Sequence, residues 1–475
     1  MIFSSLVFLC IFLPVTYILH TIVPSIKIKN AILIVASLFF YAYGEPVYVL
    51  LMIFSSLINY LLAILIDKHE KGKKAILIAG LVLNLGILGV FKYAAFLIGS
   101  CNDIFGLKLQ IPEIILPIGI SFFTFQALSY VMDVYYGKIE VQKSFWKILL
   151  YISFFPQLIA GPIVKYRDIS KEIDSRKQTI RETSLGMRRF ICGLAKKVLI
   201  ANTMGLAADN IFAADLSDIN VVAAWLGAIA YMLQIYYDFS GYSDMAIGLG
   251  RMFGFHFKEN FQYPYGAGSI RDFWRKWHIS LSTWFKEYLY IPLGGNRKGN
   301  ARTYINRIIV FFFTGLWHGA NWTFVIWGLY HGVLLLFEEC VPFVRKLPKI
   351  LAHIYSLVLV CIGFVIFRAD TIYQGLYMIK QMFSGFVFSP QNGSMVWQQL
   401  TPWFIFCLIV AVIGAAPIHI LSDKVRNKLC TEETNISAKW LWVDRSLYLL
   451  SAILLAWCLI RLSGSTYNPF IYFRF

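Results

Sequence analysis

Apolar runs of about 20 residues, the length a helix needs to cross the hydrocarbon core of a bilayer, recur along nearly the whole of this 475-residue chain. No other feature narrows its choice of fold so far. Of its residues 58% are hydrophobic and 15% charged, where a soluble domain carries about 45–50% and about 25%. The pattern predicts spans at about 1–24, 30–45, 47–66, 75–97, 114–136, 190–208, 221–240, 304–318, 322–340, 350–368, 401–421 and 445–462. The run 147–164 is interrupted by Pro156, Gly161 and Pro162, so a re-entrant or broken helix is expected there. The fold class implied is an all-α polytopic membrane protein with about 11 or 12 transmembrane helices. No internal repeat is visible, and one membrane domain over 1–475 is expected.

A net charge of +17 raises the question of nucleic acid, but the cations sit in short loops between spans, as the positive-inside rule expects of a chain embedded in a lipid bilayer. No nucleic-acid partner is expected. The basic loops are 67–74, 165–189 (eight basic residues against four acidic), 294–302, 345–349 and 424–428. They belong on the cytoplasmic side. The loop holding Asp209, Asp215 and Asp218 carries no Lys or Arg and belongs outside. Threading these through the spans places the N-terminus outside and makes 463–475 an extracytoplasmic tail. The first 24 residues lack a charged n-region and a small-residue cleavage site, and so read as a first span rather than a signal peptide. The eight cysteines are scattered singly with no CxxC pair, which indicates neither a disulfide framework nor a zinc site.

The stretch Arg271–Glu287 differs from the spans. Phe273, Trp274, Trp277, Leu281, Trp284 and Phe285 fall on one helical face, and Arg271, Asp272, Arg275, Lys276, Lys286 and Glu287 on the other. This predicts one amphipathic helix at the cytoplasmic boundary, with His278 on its apolar side. A second histidine, His318, sits between glycines in GLWHGANW (315–322) within an apolar run. A titratable group at that depth is costly unless it is used, so it counts as a functional candidate. His20, His353 and His419 lie near span ends and His69 in a charged loop, and His256 sits among polar residues. None of these five needs a special role. His331, in GLYHG, reads equally as a packing residue donating to a carbonyl and as a functional one.

Other chemistries find little support. There is no GxSxG elbow, no HExxH or histidine pair at i, i+4, no Walker loop and no GxGxxG. No metal and no permanently bound cofactor are expected.

RDFWRKWHISLSTWF, followed some forty residues later by GLWHG, resembles the membrane-bound O-acyltransferases. The resemblance extends over most of the chain, through residues 116–137, 154–166, 234–250, 288–297 and 366–370. It points to the bacterial branch that O-acetylates alginate or peptidoglycan, and so to a multi-pass protein of the bacterial plasma membrane. It implies that His318 is the family's invariant histidine and His278 its partner. Acyl transfer from a thioester to an alcohol needs a base, and imidazole titrates in the right range. The implied roles are His318 as general base and His278 orienting or polarising. Arg271, Asp272, Trp274, Arg275, Trp317 and Asn321 are candidate substrate-binding residues. The arginines would attract the phosphates of a cytosolic donor, acetyl-CoA, although an interfacial anchor explains them as well.

The chain's last residues, Phe470-Ile-Tyr472-Phe-Arg-Phe475, resemble the C-terminal tyrosine motif of polymer-acylating systems in this family. That motif implies an acyl relay through Tyr472 to an extracytoplasmic serine-esterase-like (SGNH) partner, with a cell-surface polysaccharide as final acceptor. An aromatic interfacial belt is the plainer account of the same residues. Two other functions remain open from the sequence: D-alanyl transfer to teichoic acid from a carrier protein, and a transporter or flippase, whose broken helices and buried polar residues look alike.

Overall fold

The computed structural model describes residues 1–417, 438–464 and 467–468. Among these the chain is helix and connecting loop, without a strand. In order come α1 (Phe8–Ile22), α2 (Ile26–Ala42), α3 (Tyr48–Lys68), α4 (Lys73–Phe105), α5 (Ile120–Tyr135), α6 (Phe145–Ser153), α7 (Ile180–Phe212), α8 (Val221–Met252), α9 (Ile270–Lys276), α10 (Ile279–Phe285), α11 (Gly299–His318), α12 (Trp322–Cys340), α13 (Lys349–Arg368), α14 (Pro402–Ala415) and α15 (Ala438–Gly464). Each expected span falls on one of them. The run 147–164 is broken: α6 stops at Ser153, one turn Phe155–Leu158 follows, and Gly161 and Pro162 lie beyond it. Tyr472, His419 and the basic cluster 424–428 lie outside the described residues.

Not every expected span is by itself long and apolar enough to cross a bilayer. Among the described residues seven helices are long and apolar enough to cross a bilayer, or eight if the pair Pro390–Gln399 and α14, bent by 67°, makes one span. The shortfall has a physical cause. Expected spans at 1–24, 30–45 and 114–136 are helices of fewer than 18 residues. The one at 304–318 begins on polar residues, Asn300, Arg302, Asn306 and Arg307 among them. A helix walled by protein need not match the hydrocarbon thickness, and α5 is buried along all but its last residue.

Two glycine pairs bring α7 and α8 together. A Cβ on Gly193 would lie 2.5 Å from the Gly241 carbonyl oxygen, and one on Gly248 2.5 Å from that of Gly186. Each helix thus presents two glycines seven residues apart, and backbones approach as small residues in membrane helices allow. Lys197 and Asp238 pair at 2.9 Å within this interface, both side chains buried. An isolated charge would be expensive there, and pairing is what makes it tolerable. The same contact explains why α8 continues to Met252 rather than ending near 240. Its Asp244 meets Lys196 at 2.6 Å and Arg189 at 2.8 Å, both from α7. Gly193→Val is expected to prevent recovery of folded protein, since a Cβ cannot sit 2.5 Å from a carbonyl oxygen. Size-exclusion and thermal melting of the detergent-solubilised variant check this.

Candidate active site

The stretch expected to form one amphipathic helix is two short ones. α9 ends at Lys276 and α10 starts at Ile279, with His278 between them at φ 43°. Helical hydrogen bonds are given up there for bonds to a neighbouring strand of loop. Gln262 N–H donates to the Lys276 carbonyl (3.0 Å) and Ile279 N–H to that of Asn260 (2.9 Å). Asn260 Oδ1 also accepts from Ser280 N–H (3.1 Å) and Ser280 Oγ (2.9 Å), and lies 3.2 Å from His278 Nδ1. A left-handed conformation at a non-glycine residue costs about 1–3 kcal/mol and tends to cluster at functional sites. The chain accepts that cost to turn His278 fully inward, where it has no solvent exposure.

His318 ends α11. Gly319 then runs extended, and α12 starts at Trp322. The two helices cross closely: a Cβ on Gly315 would meet the Phe324 carbonyl oxygen at 2.3 Å. The glycines flanking His318 therefore serve helix approach. The imidazole is buried, edge-on to Trp317 (5.1 Å between ring centroids), Trp327 (5.1 Å) and Phe367 (5.2 Å). His278 faces it at 6.3 Å. The two expected histidines are thus brought together from separate segments. Nε2 of His278 has no hydrogen-bond partner among the described residues, which leaves it available to a substrate.

The remaining candidates divide. Trp317 joins the two imidazoles, its ring 5.6 Å from that of His278. Trp274 lies one layer away, 5.7 Å from Trp327 and 5.3 Å from His331. Neither ring nitrogen of His331 makes a hydrogen bond among the described residues, so donation to a carbonyl is not its role. Asn321 caps α12, accepting from Thr323 N–H at 3.0 Å, and donates to the Asp370 carbonyl at 3.2 Å. Asp272 pairs with Lys276 at 2.7 Å on α9. Arg271 meets Glu339 at 2.8 Å, and Arg307 pairs with the same carboxylate.

Two cavities flank the histidines. One, about 270 Å³, opens between α9, α10 and α11. Arg271, Arg275, Lys286 and Arg307 stand around it, and its wall reaches Thr314, one helical turn from His318. Arg275 and Lys286 form no ion pair among the described residues. The other, about 230 Å³, is lined by His318 and Trp317 with Lys92 and Gly119–Phe122 at the start of α5. A larger cavity of about 970 Å³ between α7 and α8 also holds cations, but its Arg189 and Lys196 are already paired to Asp244. Near these mouths, burial alone would raise the Glu287 carboxyl, yet Lys165 (2.9 Å) and Arg167 hold it below the usual carboxylate range. That cluster ties α10's end to the 165–167 segment.

Sequence reasoning missed Asn260, Phe239 (4.6 Å from the His278 ring) and Lys92. Only Lys92 carried a signal, a lone cation inside an apolar run.

Comparison with known proteins fits this geometry. The family model for "MBOAT, membrane-bound O-acyltransferase family" matches residues 139–379. A protein of Pseudomonas putida named "Probable alginate O-acetylase AlgI" is 39% identical, with 100% of both chains covered. A "Peptidoglycan O-acetyltransferase" of Helicobacter pylori is 38% identical over 80% of each. A "Teichoic acid D-alanyltransferase" of Bacillus subtilis is 30% identical, covering 53% of this chain and 68% of that one.

Proposed function

The chain belongs to the membrane-bound O-acyltransferase family, and on that premise we propose that it transfers acetyl from cytosolic acetyl-CoA to an acceptor reached from the opposite face of the membrane. The final acceptor is a cell-surface polysaccharide, in keeping with the alginate and peptidoglycan relatives. The observation that carries this is the pair of buried imidazoles, 6.3 Å apart, set between a cation-rimmed cavity and a second cavity that His318 itself lines. A transporter has no need of that pair. The more distant, partial match to a D-alanyltransferase favours acetyl over D-alanyl transfer.

In this reading the donor's phosphates rest against Arg275 and Lys286, and its thioester reaches past Thr314 toward His318. His318 takes the proton of the attacking hydroxyl. The new C–O bond forms, the C–S bond breaks, and the CoA thiolate leaves and is protonated. His278, held by Asn260, polarises or orients. Tyr472 supplies the first hydroxyl and hands the acetyl to an SGNH-type partner outside.

Incubating the purified protein with acetyl-labelled CoA ester tests the reading. Label should become covalently attached to the chain; a protein that binds acetyl-CoA but releases no CoA thiol would refute it. Arg275→Gln is expected to raise KM for acetyl-CoA about tenfold with kcat unchanged. That is the loss of one charge-assisted contact of about 1.5 kcal/mol, and an effect on KM alone marks binding lost equally from ground and transition states.

A further inference from the structure

A widened turn interrupts α4 at Gly89–Tyr93. Single π-turns inside α-helices are rare and occur often at functional sites. This one sits where α4 passes the end of α11. Lys92 Nζ donates to the Trp317 carbonyl (2.6 Å) and reaches the His318 carbonyl (3.5 Å) and Ser121 Oγ (3.3 Å). The next residue, Tyr93, donates its hydroxyl to the Leu316 carbonyl at 2.7 Å. Adjacent side chains on a regular helix diverge by about 100°, yet here both serve the same helix end.

The last carbonyls of a helix have no intrahelical partner, and in a lipid layer water does not supply one. At α11 the problem is acute, because Gly319 leaves the helix extended and no αL cap closes it. Three consecutive carbonyls, 316 to 318, are met instead from α4. The ammonium also complements the negative end of the helix dipole. Lys92 lines the same cavity as His318, so the carbonyl clamp lies on the wall of the reaction space.

We propose that Lys92, with Tyr93, is a positioning residue for acyl transfer. It fixes the end of α11, and with it the His318 imidazole, against His278 and the cavity. The inference rests on the reading of His318 as the base.

The test uses the purified full-length protein and labelled acetyl-CoA, with Lys92→Met, Lys92→Arg, Tyr93→Phe and His318→Ala compared for thermal melting and for the limiting rate of label transfer (kcat) and the acetyl-CoA concentration that gives half of it (KM). Lys92→Met keeps the length and loses the cation. Its kcat should fall about 30-fold with KM held, within the range of up to about 10²-fold that a misplacement of about 1 Å produces. Lys92→Arg should recover most of the rate. A methionine variant at the wild-type rate, one whose loss lies in KM, or an arginine variant no better than methionine, overturns the proposal. Should Lys92→Met not fold, Tyr93→Phe decides, with a kcat about threefold down expected and a wild-type rate overturning it. His318→Ala separates the two levels: if it turns over normally, the reading of the base has failed, whereas an inactive His318→Ala beside a normal Lys92→Met condemns only the clamp.

Discussion

Replacing His318 with alanine is expected to remove acetyl transfer, lowering kcat by at least about 10²-fold, the lower end of what a positioned general base contributes. The hydroxyl acceptor cannot attack a thioester carbonyl at useful rate while it keeps its proton, and few groups near the carbonyl can take it. Asn260 and Ser280 are not bases, and Lys92 is spent on carbonyls. His278 is the remaining imidazole; with Nδ1 facing the Asn260 oxygen at 3.2 Å its Nε2 stays open, but its ring lies 6.3 Å from that of His318 and so from the position His318 serves. His278→Ala should therefore be severe yet leave more activity than His318→Ala. Alanine at 318 also empties space among Trp317, Trp327 and Phe367, so His318→Gln, which keeps most of the volume, should be equally inactive while melting closer to wild type. The measurement is the rate of label transfer from acetyl-CoA by protein that elutes and melts as folded. Normal turnover by the glutamine variant would remove His318 from the chemistry.

What the sequence made legible followed its local signals. Continuous apolar runs placed the long helices, and His318 stood out because glycines and tryptophans framed it in an apolar run. What stayed hidden depended on partners distant in the chain. Asp238, Ser240, Ser243 and Asp244 look like the end of a span, but Lys197 and Lys196 of α7 neutralise the two aspartates and α8 runs on. The apolar periodicity of 271–287 continues without a flaw through Trp277 and His278. Only the 260–262 segment, which takes over their backbone bonds, ends one helix and begins another. Lys92 was visible as an anomaly, but its targets on α11 are more than two hundred residues away. Arg271, Asp272 and Asn321 went the other way. Their residue types suited substrate binding, while the fold uses them in an ion pair, another ion pair and a helix cap.

Tyr472→Phe is expected to abolish acetylation of the polymer and leave a stable protein. The described residues just ahead of the tail are pinned. Tyr467 donates to Asp209 at 2.7 Å, and Asn468 Nδ2 to the Ser4 carbonyl at 2.8 Å. An interfacial aromatic belt would be served as well by phenylalanine, which makes the loss of one oxygen a clean discriminator. The chemistry favours tyrosine over any other hydroxyl. A phenol has a pKa near 10 and a thiol near 8.5, so moving acetyl from sulfur to a phenolic oxygen sacrifices little of its activation. The aryl ester remains competent to acylate a serine outside. An alkyl ester would hold the group too firmly, so Tyr472→Ser should also fail although it keeps a hydroxyl. Mass spectrometry of the C-terminal peptide after incubation with acetyl-CoA should find the ester at position 472 in the wild type, none in Tyr472→Phe, and an ester that is retained rather than passed on in Tyr472→Ser. The O-acetyl content of the polymer from cells carrying each variant as the sole copy should fall to background. Normal polymer acetylation by Tyr472→Phe would reduce the tail to an anchor and leave His318 to acylate an acceptor that comes from outside the chain.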